Sequence, residues 1–279
     1  MAERSSFNLG DLAPSGFDAY GSSFFATLRR TAPGDVPELF REGELTPELK
    51  ASLVEGTTVL AVTYADGVVI AGDRRATAGH LISRRDMRKV FPADHHSAIA
   101  ISGAAGPAME LARIFSTELE HYEKVEGDLL SLEGKSNKLA HMVRANLPMA
   151  LQGLVVVPLF AGYDIHDEEG RIYEYDPIGG RYVATNYAAS GSGSMVAKGT
   201  LKRFHDPAAD SDSALRLSLE ALFDAAEEDS ATGGPDLVRR IYPIVAVVDA
   251  DGYREIDEDA IAETVEAIAA ERGPREHTD

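Results

Sequence analysis

Cysteine is absent from the 279-residue chain, which excludes a disulfide scaffold, a thiolate zinc site and a cysteine nucleophile. That absence is compatible with a reducing cytoplasm, where the protein is expected to reside. Basic residues are scarce: 27 Lys and Arg stand against 46 Asp and Glu, for a formal net charge of −19. Phosphate binding needs clustered Lys and Arg, so nucleic acid is not an expected partner. A polybasic membrane anchor is disfavoured for the same reason. The N-terminus, MAERSSFNLGDLAPSG, lacks the basic segment and continuous apolar core of a secretory signal. One stretch, Ala145 to Tyr163, carries no charge over nearly the length of a membrane span. Pro148, Gln152-Gly153 and Pro158 interrupt it, and it reads as the end of a helix followed by a buried strand. The eight histidines include no HExxH pair, and adjacent His95-His96 fall in an expected turn, so no metal or other cofactor is expected.

What is present divides at Thr57. Residues 1 to about 45 are rich in Gly, Ser, Pro and Phe without a sustained period, as expected of disorder or loose docking. TPELKASLVEG then reads as a short helix with Thr46 as N-cap, Pro47 in its first turn and Gly56 as terminator. From Thr57 the pattern tightens. TTVLAVTY and VVIAGD, joined at Ala65-Asp66-Gly67, read as a hairpin. SAIAIS reads as a strand ending at Gly103. Apolar residues at helical spacing follow from Ala104 to about Lys124 and from Ser136 to about Ala150. Strands are expected at LVVVPLFAGYD, at RIYEYD after a turn at 167–170, and at GRYVATNYAAS before the glycine turn SGSGS. A helix is expected over Asp212–Asp229, a strand at IYPIVAVVD and an acidic helix over Asp257–Arg272, followed by a frayed tail. Helices segregated from hairpin-connected strands favour an α+β layered domain with mostly antiparallel sheets. Apolar residues on both faces of the first hairpin indicate sheets covered on both sides. No internal repeat points to a solenoid.

The abrupt strand after Gly56 has a chemical reading. A threonine hydroxyl is a poor nucleophile unless a base is close. An N-terminal threonine carries its own base, an α-amine whose unperturbed pKa is about 7.7–8.0. Using it requires cutting Gly56-Thr57. Attack of the Thr57 hydroxyl on the Gly56 carbonyl would move the leader onto oxygen as an ester, which water would then release. Asp73 (in AGDRRAT) and Lys89 (in MRKVFP) each read singly as surface charges. Folded beside Thr57, Lys89 would stabilise negative charge on its oxygen and lower the amine pKa. A unit charge about 4 Å away at an effective dielectric of about 20 is worth about 4 kcal/mol. Asp73 would pair with Lys89 and hold it charged. Gly103 could present a backbone N–H to a developing oxyanion. Gly191 and Gly193 in SGSGS lack the third glycine and the GK[ST] of a phosphate loop, and read as a structural turn.

These residues carry a resemblance. From Thr57 onward the chain resembles β-type subunits of the bacterial proteasome found in actinobacteria, and the leader ending EG-TT fits as well. The family pattern of a catalytic threonine, an aspartate sixteen residues later and a lysine thirty-two residues later falls on Thr57, Asp73 and Lys89, with Arg75 at an accompanying arginine position. The resemblance puts Gly103 at the oxyanion position and Ser192, Asp229 and Thr232 at further catalytic positions. Thr232 stands where many relatives have serine. Substrate backbone would lie along Thr77 and Gly103, with an apolar specificity pocket of Ala76, Met87, Ile101, Ala105 and Met109. The implied fold is the N-terminal-nucleophile hydrolase sandwich: two antiparallel sheets between helical layers, αββα. The implied organisation is a propeptide, 1–56, removed by autolysis, and a catalytic domain, 57–279, with Gly56 and Thr57 flanking the cleaved bond. Seven-membered β rings stacked face to face, α-type rings capping them, and a ring ATPase feeding substrates tagged with a prokaryotic ubiquitin-like protein are implied partners. The activity implied is that of a threonine endopeptidase made as a zymogen. The competing expectations are a non-proteasomal N-terminal-nucleophile amidase, the simpler two-ring ATP-dependent protease, and a non-catalytic ring subunit. The complete Thr, Asp and Lys set argues against the last.

Overall fold

The computed structural model describes residues 54–273. The Gly/Ser/Pro-rich leader, most of the expected helix at 46–56 and the tail beyond Gly273 lie outside the described residues. Where that helix was to end, Val54–Glu55 is instead a short strand, β1, paired antiparallel with β4 (Ala76–Ala78).

The hairpin expected at Thr57 is present as β2 (Thr58–Tyr64) and β3 (Gly67–Gly72), with Val59 opposite Gly72 and Tyr64 opposite Gly67. It forms the centre of a five-stranded antiparallel sheet ordered β11 (Tyr187–Gly191), β2, β3, β12 (Ile244–Asp249), β13 (Gly252–Glu255). A second five-stranded sheet runs β10 (Arg181–Ala184), β9 (Glu169–Tyr175), β8 (Val156–Asp164), β7 (Ser97–Gly103), β6 (Val90–Asp94). A three-stranded sheet, β1-β4-β5 with β5 at Leu81–Arg84, completes the strands.

Alternation along the strands decides what each face meets. Val59, Ala61, Val68, Ile70, Ala188, Ala246 and Val248 of the first sheet pack on Val90, Ala98, Ala100, Leu159, Ala161 and Ile172 of the second. Many of these are alanines, which leave room for two sheets to approach. The opposite face of the first sheet, with Leu60, Val62, Val69, Val245 and Val247, is covered by α4 (Ser194–Phe204), α5 (Ser211–Glu228) and α6 (Glu258–Arg272). The outer face of the second, with Ile99, Ile101, Phe160 and Tyr173, is covered by α1 (Ala105–Glu126) and α2 (Leu132–Ala145). Three apolar layers between four structural layers give the αββα sandwich that the resemblance implied.

Several expectations differ in detail. GRYVATNYAAS is two strands, because the chain crosses from one sheet to the other between β10 and β11; Thr63 anchors the crossing through its N–H and hydroxyl, both donated to the Asn186 carbonyl. The helix expected over 136–150 starts earlier, capped by the Ser131 side chain, which accepts from Gly134 N. It gives way after Ala145 to a four-residue helix, α3 (Leu147–Ala150), holding Pro148 in its first turn. The SGSGS turn is the start of α4, whose buried residues, Ala197 and Leu201, are too few to advertise a helix in the sequence. Strands β4, β5, β6 and β13 were not anticipated. The charge-free run 145–163 spans the end of α2, α3 and β8, and among the described residues no helix is long and apolar enough to cross a membrane.

Candidate active site

Pairing of β1 with β4 sets Glu55 opposite Thr77, and β2 begins at Thr58. Between them the chain turns at Gly56 with φ of +104°, a conformation that favours glycine. The Thr57 hydroxyl, in a buried side chain, donates to the carbonyl oxygen of Gly56 at 2.7 Å. Lys89 Nζ donates to the same oxygen at 3.2 Å. A Cβ on residue 56 would lie 2.4 Å from Thr77 Oγ1 and 3.0 Å from the Ala231 Cβ. Gly56→Ala therefore combines a clash with backbone strain of about 1–3 kcal/mol. It is expected to slow loss of the leader by about tenfold or more, followed by intact mass against time; cleavage at the wild-type rate would show that the bond is cut in another conformation.

Asp73 and Lys89 meet at the base of this turn with both side chains fully buried, Nζ lying 2.6 Å from Asp73 Oδ1. The aspartate leaves β3, and its N–H donates to the Thr58 carbonyl. Its carboxylate accepts four hydrogen bonds: Thr58 N and Lys89 Nζ on Oδ1, Arg75 N and Gly233 N on Oδ2. Lys89 also donates to the Arg75 carbonyl at 2.5 Å. Burial pushes the Lys89 pKa below its ordinary value even though Asp73 opposes the shift. Desolvation is the larger influence on that shift, while the three bonds from Nζ, to Asp73 and to the Arg75 and Gly56 carbonyls, use the three protons of the charged form.

On the other side of Thr57 lie Ser192, Asp229 and Thr232. Ser192 N donates to the Thr57 carbonyl at 2.9 Å. Ser192 Oγ donates to Asp229 Oδ2 at 2.5 Å, and Thr232 Oγ1 donates to the same oxygen at 2.6 Å. Burial raises the Asp229 pKa, but bonds from Ser192, Thr232 and backbone N–H groups outweigh it and leave the carboxyl below its usual range. Arg75 ties this loop to the lysine side, its guanidinium donating to the carbonyls of Ser230 and Thr232. The glycine turns are demanded by close approach: a Cβ at Gly191 would sit 1.9 Å from the Thr57 carbonyl oxygen, and one at Gly193 2.6 Å from Thr58 Oγ1. One residue escaped the sequence reading. Thr58, also fully buried, bonds Asp73 through its N–H and meets Thr232 and Gly193 N through its hydroxyl. The paired threonines at the strand head were its signal.

Gly103 ends β7 opposite Val156, with φ of +94°, and a Cβ there would lie 2.1 Å from the Val155 carbonyl oxygen. Of the expected pocket residues, Ala76, Met87 and Ile101 are buried in one cluster beneath α1, and Ala105 packs against it. Met109, also on α1, is outside that buried cluster and 43% exposed. Thr77 is buried on β4, facing Glu55 of β1. His95 and His96 occupy the turn between β6 and β7.

The sequence model of the family described as "Proteasome subunit" matches residues 53–238. The chain is 52% identical over 257 residues to a protein named "Proteasome subunit beta" from Acidothermus cellulolyticus, covering 90% of this chain and 87% of that one. It is 52% identical over 260 residues to a protein of that name from Frankia casuarinae, covering 93% and 94%. The corresponding protein of Streptomyces griseus is 47% identical over 269 residues, covering 94% and 95%.

Proposed function

Since this chain belongs to the proteasome subunit family, and its relatives are β-type subunits, we propose that Gly56-Thr57 is the bond it cuts in itself and that Thr57 is the nucleophile of its threonine endopeptidase activity. The observation that carries this reading is the Gly56 carbonyl oxygen, which receives both the Thr57 hydroxyl and Lys89 Nζ while Lys89 stays paired with Asp73.

In the precursor, the Thr57 oxygen gives up its hydroxyl proton as it attacks the Gly56 carbonyl carbon, while Lys89 Nζ, donating to the carbonyl oxygen, stabilises the negative charge that develops there. The C–N bond breaks, the proton passes to the departing nitrogen, and the leader is left as an ester on Thr57. Water hydrolyses that ester, freeing a carboxylate on Gly56 and the hydroxyl of Thr57, whose α-amine was exposed when the C–N bond broke. The amine then serves as the base for each substrate: Thr57 Oγ attacks a peptide carbonyl, the leaving amine takes a proton, and the acyl-enzyme is hydrolysed in turn. Gly103 N–H is the oxyanion donor of this reading. The cluster of Ala76, Met87, Ile101 and Ala105 favours an apolar residue before the cut. Strand β1 lies along the β4 edge at Thr77, where a substrate backbone would pair, so the leader blocks the site until it is cleaved. Residues 1–56 are accordingly a propeptide and residues 57–279 the working domain.

As a β-type proteasome subunit the chain assembles with α-type subunits. Rings of seven, a cytoplasmic location, and delivery by a ring ATPase of substrates tagged with a prokaryotic ubiquitin-like protein belong to the proposal.

A peptide-like β-lactone with an apolar side chain tests the assignment. Ring opening by a nucleophilic hydroxyl leaves the inhibitor as an ester. With the assembled protein, hydrolysis of peptides is expected to stop and the added mass to map to the fragment beginning at Thr57. Inhibition with the mass on any other residue would overturn the assignment.

A further inference from the structure

Thr58 donates its backbone N–H to Asp73 Oδ1 at 2.8 Å, so its main chain is tied to the lysine side of the site. Its side chain points to the other side. Thr58 Oγ1 accepts from Gly193 N at 3.0 Å and lies 2.6 Å from Thr232 Oγ1. Each hydroxyl has one proton. Thr232 gives its proton to Asp229 Oδ2, so in the Thr58–Thr232 pair it must accept, and Thr58 must donate. The chain therefore has one polarity: Gly193 N–H to Thr58, Thr58 to Thr232, Thr232 to Asp229. Ser192 closes it by donating to the same Asp229 oxygen. Ser192 Oγ also lies 3.4 Å from the Thr57 carbonyl oxygen, the more distant of the two acceptors its hydroxyl faces. Thr58 and Thr232 are both 0% exposed, so water has no route to replace a missing partner.

We propose that Thr58 is a positioning residue for the Thr57 nucleophile, its hydroxyl fixing the direction of the hydrogen-bond chain through Thr232 and Asp229 to Ser192. The inference rests on Thr57 being the nucleophile. A valine at 58 has the shape of threonine but sets a methyl where a hydroxyl lies 2.6 Å from Thr232 Oγ1. A methyl and an oxygen do not approach so closely. Thr232 must move away, and Asp229 and Ser192 lose their common reference. The substrate edge on β4 and the apolar cluster beneath α1 are untouched. The loss thus belongs to the chemical step and not to substrate binding, and a misplacement on the order of 1 Å costs about 100-fold.

The experiment compares Thr58→Val and Thr58→Ser with wild type, each as the full chain co-expressed with an α-type partner, by steady-state peptide hydrolysis. Thr58→Val is expected to lower kcat by about 10- to 100-fold with KM within about twofold. Thr58→Ser, which keeps the hydroxyl, is expected to restore kcat to within about threefold of wild type. Thr232→Val is expected to match Thr58→Val, and the double variant to be little worse than either, because both break one chain. Wild-type kcat in Thr58→Val, or serine as impaired as valine, would overturn the proposal. If Thr58→Val does not assemble, Thr232→Val decides alone, wild-type kcat there counting against it. Thr57→Ala measured alongside separates the two levels: activity surviving in that variant removes the nucleophile reading itself, whereas an inactive Thr57→Ala beside an unimpaired Thr58→Val removes only this inference.

Discussion

Thr57→Ala, co-expressed with an α-type partner, is expected to retain residues 1–56 and to hydrolyse peptides about 10⁵-fold more slowly than wild type. The substitution removes one hydroxyl and one methyl group from a buried position, and the hydrogen bond lost is the one to the Gly56 carbonyl. Lys89, Asp73, Ser192 and Asp229 keep their other partners. The fold and the assembled particle are therefore expected to survive, which makes the chemical loss interpretable. Intact mass reads processing, gel filtration reads assembly and peptide hydrolysis reads turnover. Thr57→Ser, which keeps the oxygen, is expected to be cut and to retain activity. Should Thr57→Ala be shortened at Gly56 like the wild type, another protease makes the cut and Thr57 is not its agent. Were wild type also to stay full length under assembling conditions, the cage-subunit alternative would replace the catalytic one.

The second large effect is expected at Asp73. Both carboxylate oxygens face donors: Thr58 N and Lys89 Nζ on one, Arg75 N and Gly233 N on the other. Asparagine matches the shape but must turn an NH₂ group toward one of these donor pairs, whichever way the amide is set. It also leaves Lys89 buried without its counter-charge. Removing one partner of a buried pair costs about 3–5 kcal/mol, and Asp73→Asn is expected to lower stability by about that amount. Leader cleavage and peptide hydrolysis should each fall by about 10³-fold or more.

The pH dependence of Asp73→Asn follows from Lys89, whose pKa burial already holds below its ordinary value while Asp73 pulls it up. Without Asp73 the folded-state pKa falls further. The unfolded chain then binds more protons than the folded one between the lowered folded-state pKa and the ordinary lysine value, so stability rises with pH there. The cost is complete where Lys89 would be protonated in the folded variant and is relieved as pH climbs toward the ordinary lysine range. The gap in melting temperature between variant and wild type is expected to narrow as pH rises toward the ordinary lysine pKa of about 10.4. A constant gap would place the cost in the strained amide and not in the stranded charge.

Both effects concern a site whose parts come from very different depths of the sequence. TTVLAVTY and VVIAG announced their strands because β-branched and small apolar residues ran to a turn at Ala65-Asp66. SAIAIS did the same. Local periodicity reports burial, and burial is what a strand or an amphipathic helix needs from its own residues. Helix α4 stayed hidden since only Ala197 and Leu201 of its eleven residues are buried. The crossing between β10 and β11 stayed hidden for another reason: the chain remains extended and apolar while it changes sheets, and the Thr63–Asn186 bonds that fix the crossing join residues far apart in sequence.

By itself the sequence determined the α+β class, the change of character at Gly56-Thr57, the need for a base near Thr57, and, through resemblance, the candidate roles of Thr57, Asp73, Lys89, Gly103, Ser192, Asp229 and Thr232. Only the tertiary structure decided how those groups touch. It set the Thr57 hydroxyl and Lys89 on one carbonyl oxygen, gave Asp73 donors on every side, and left Met109 outside the buried cluster. It also tied Thr58 to Thr232, 174 positions away, and to Gly193, 135 positions away. A residue's own type fixes how many protons it can give or take. Which partner receives them depends on packing between segments that carry no local record of one another, as where Thr58, Gly193 and Thr232 meet beside Thr57.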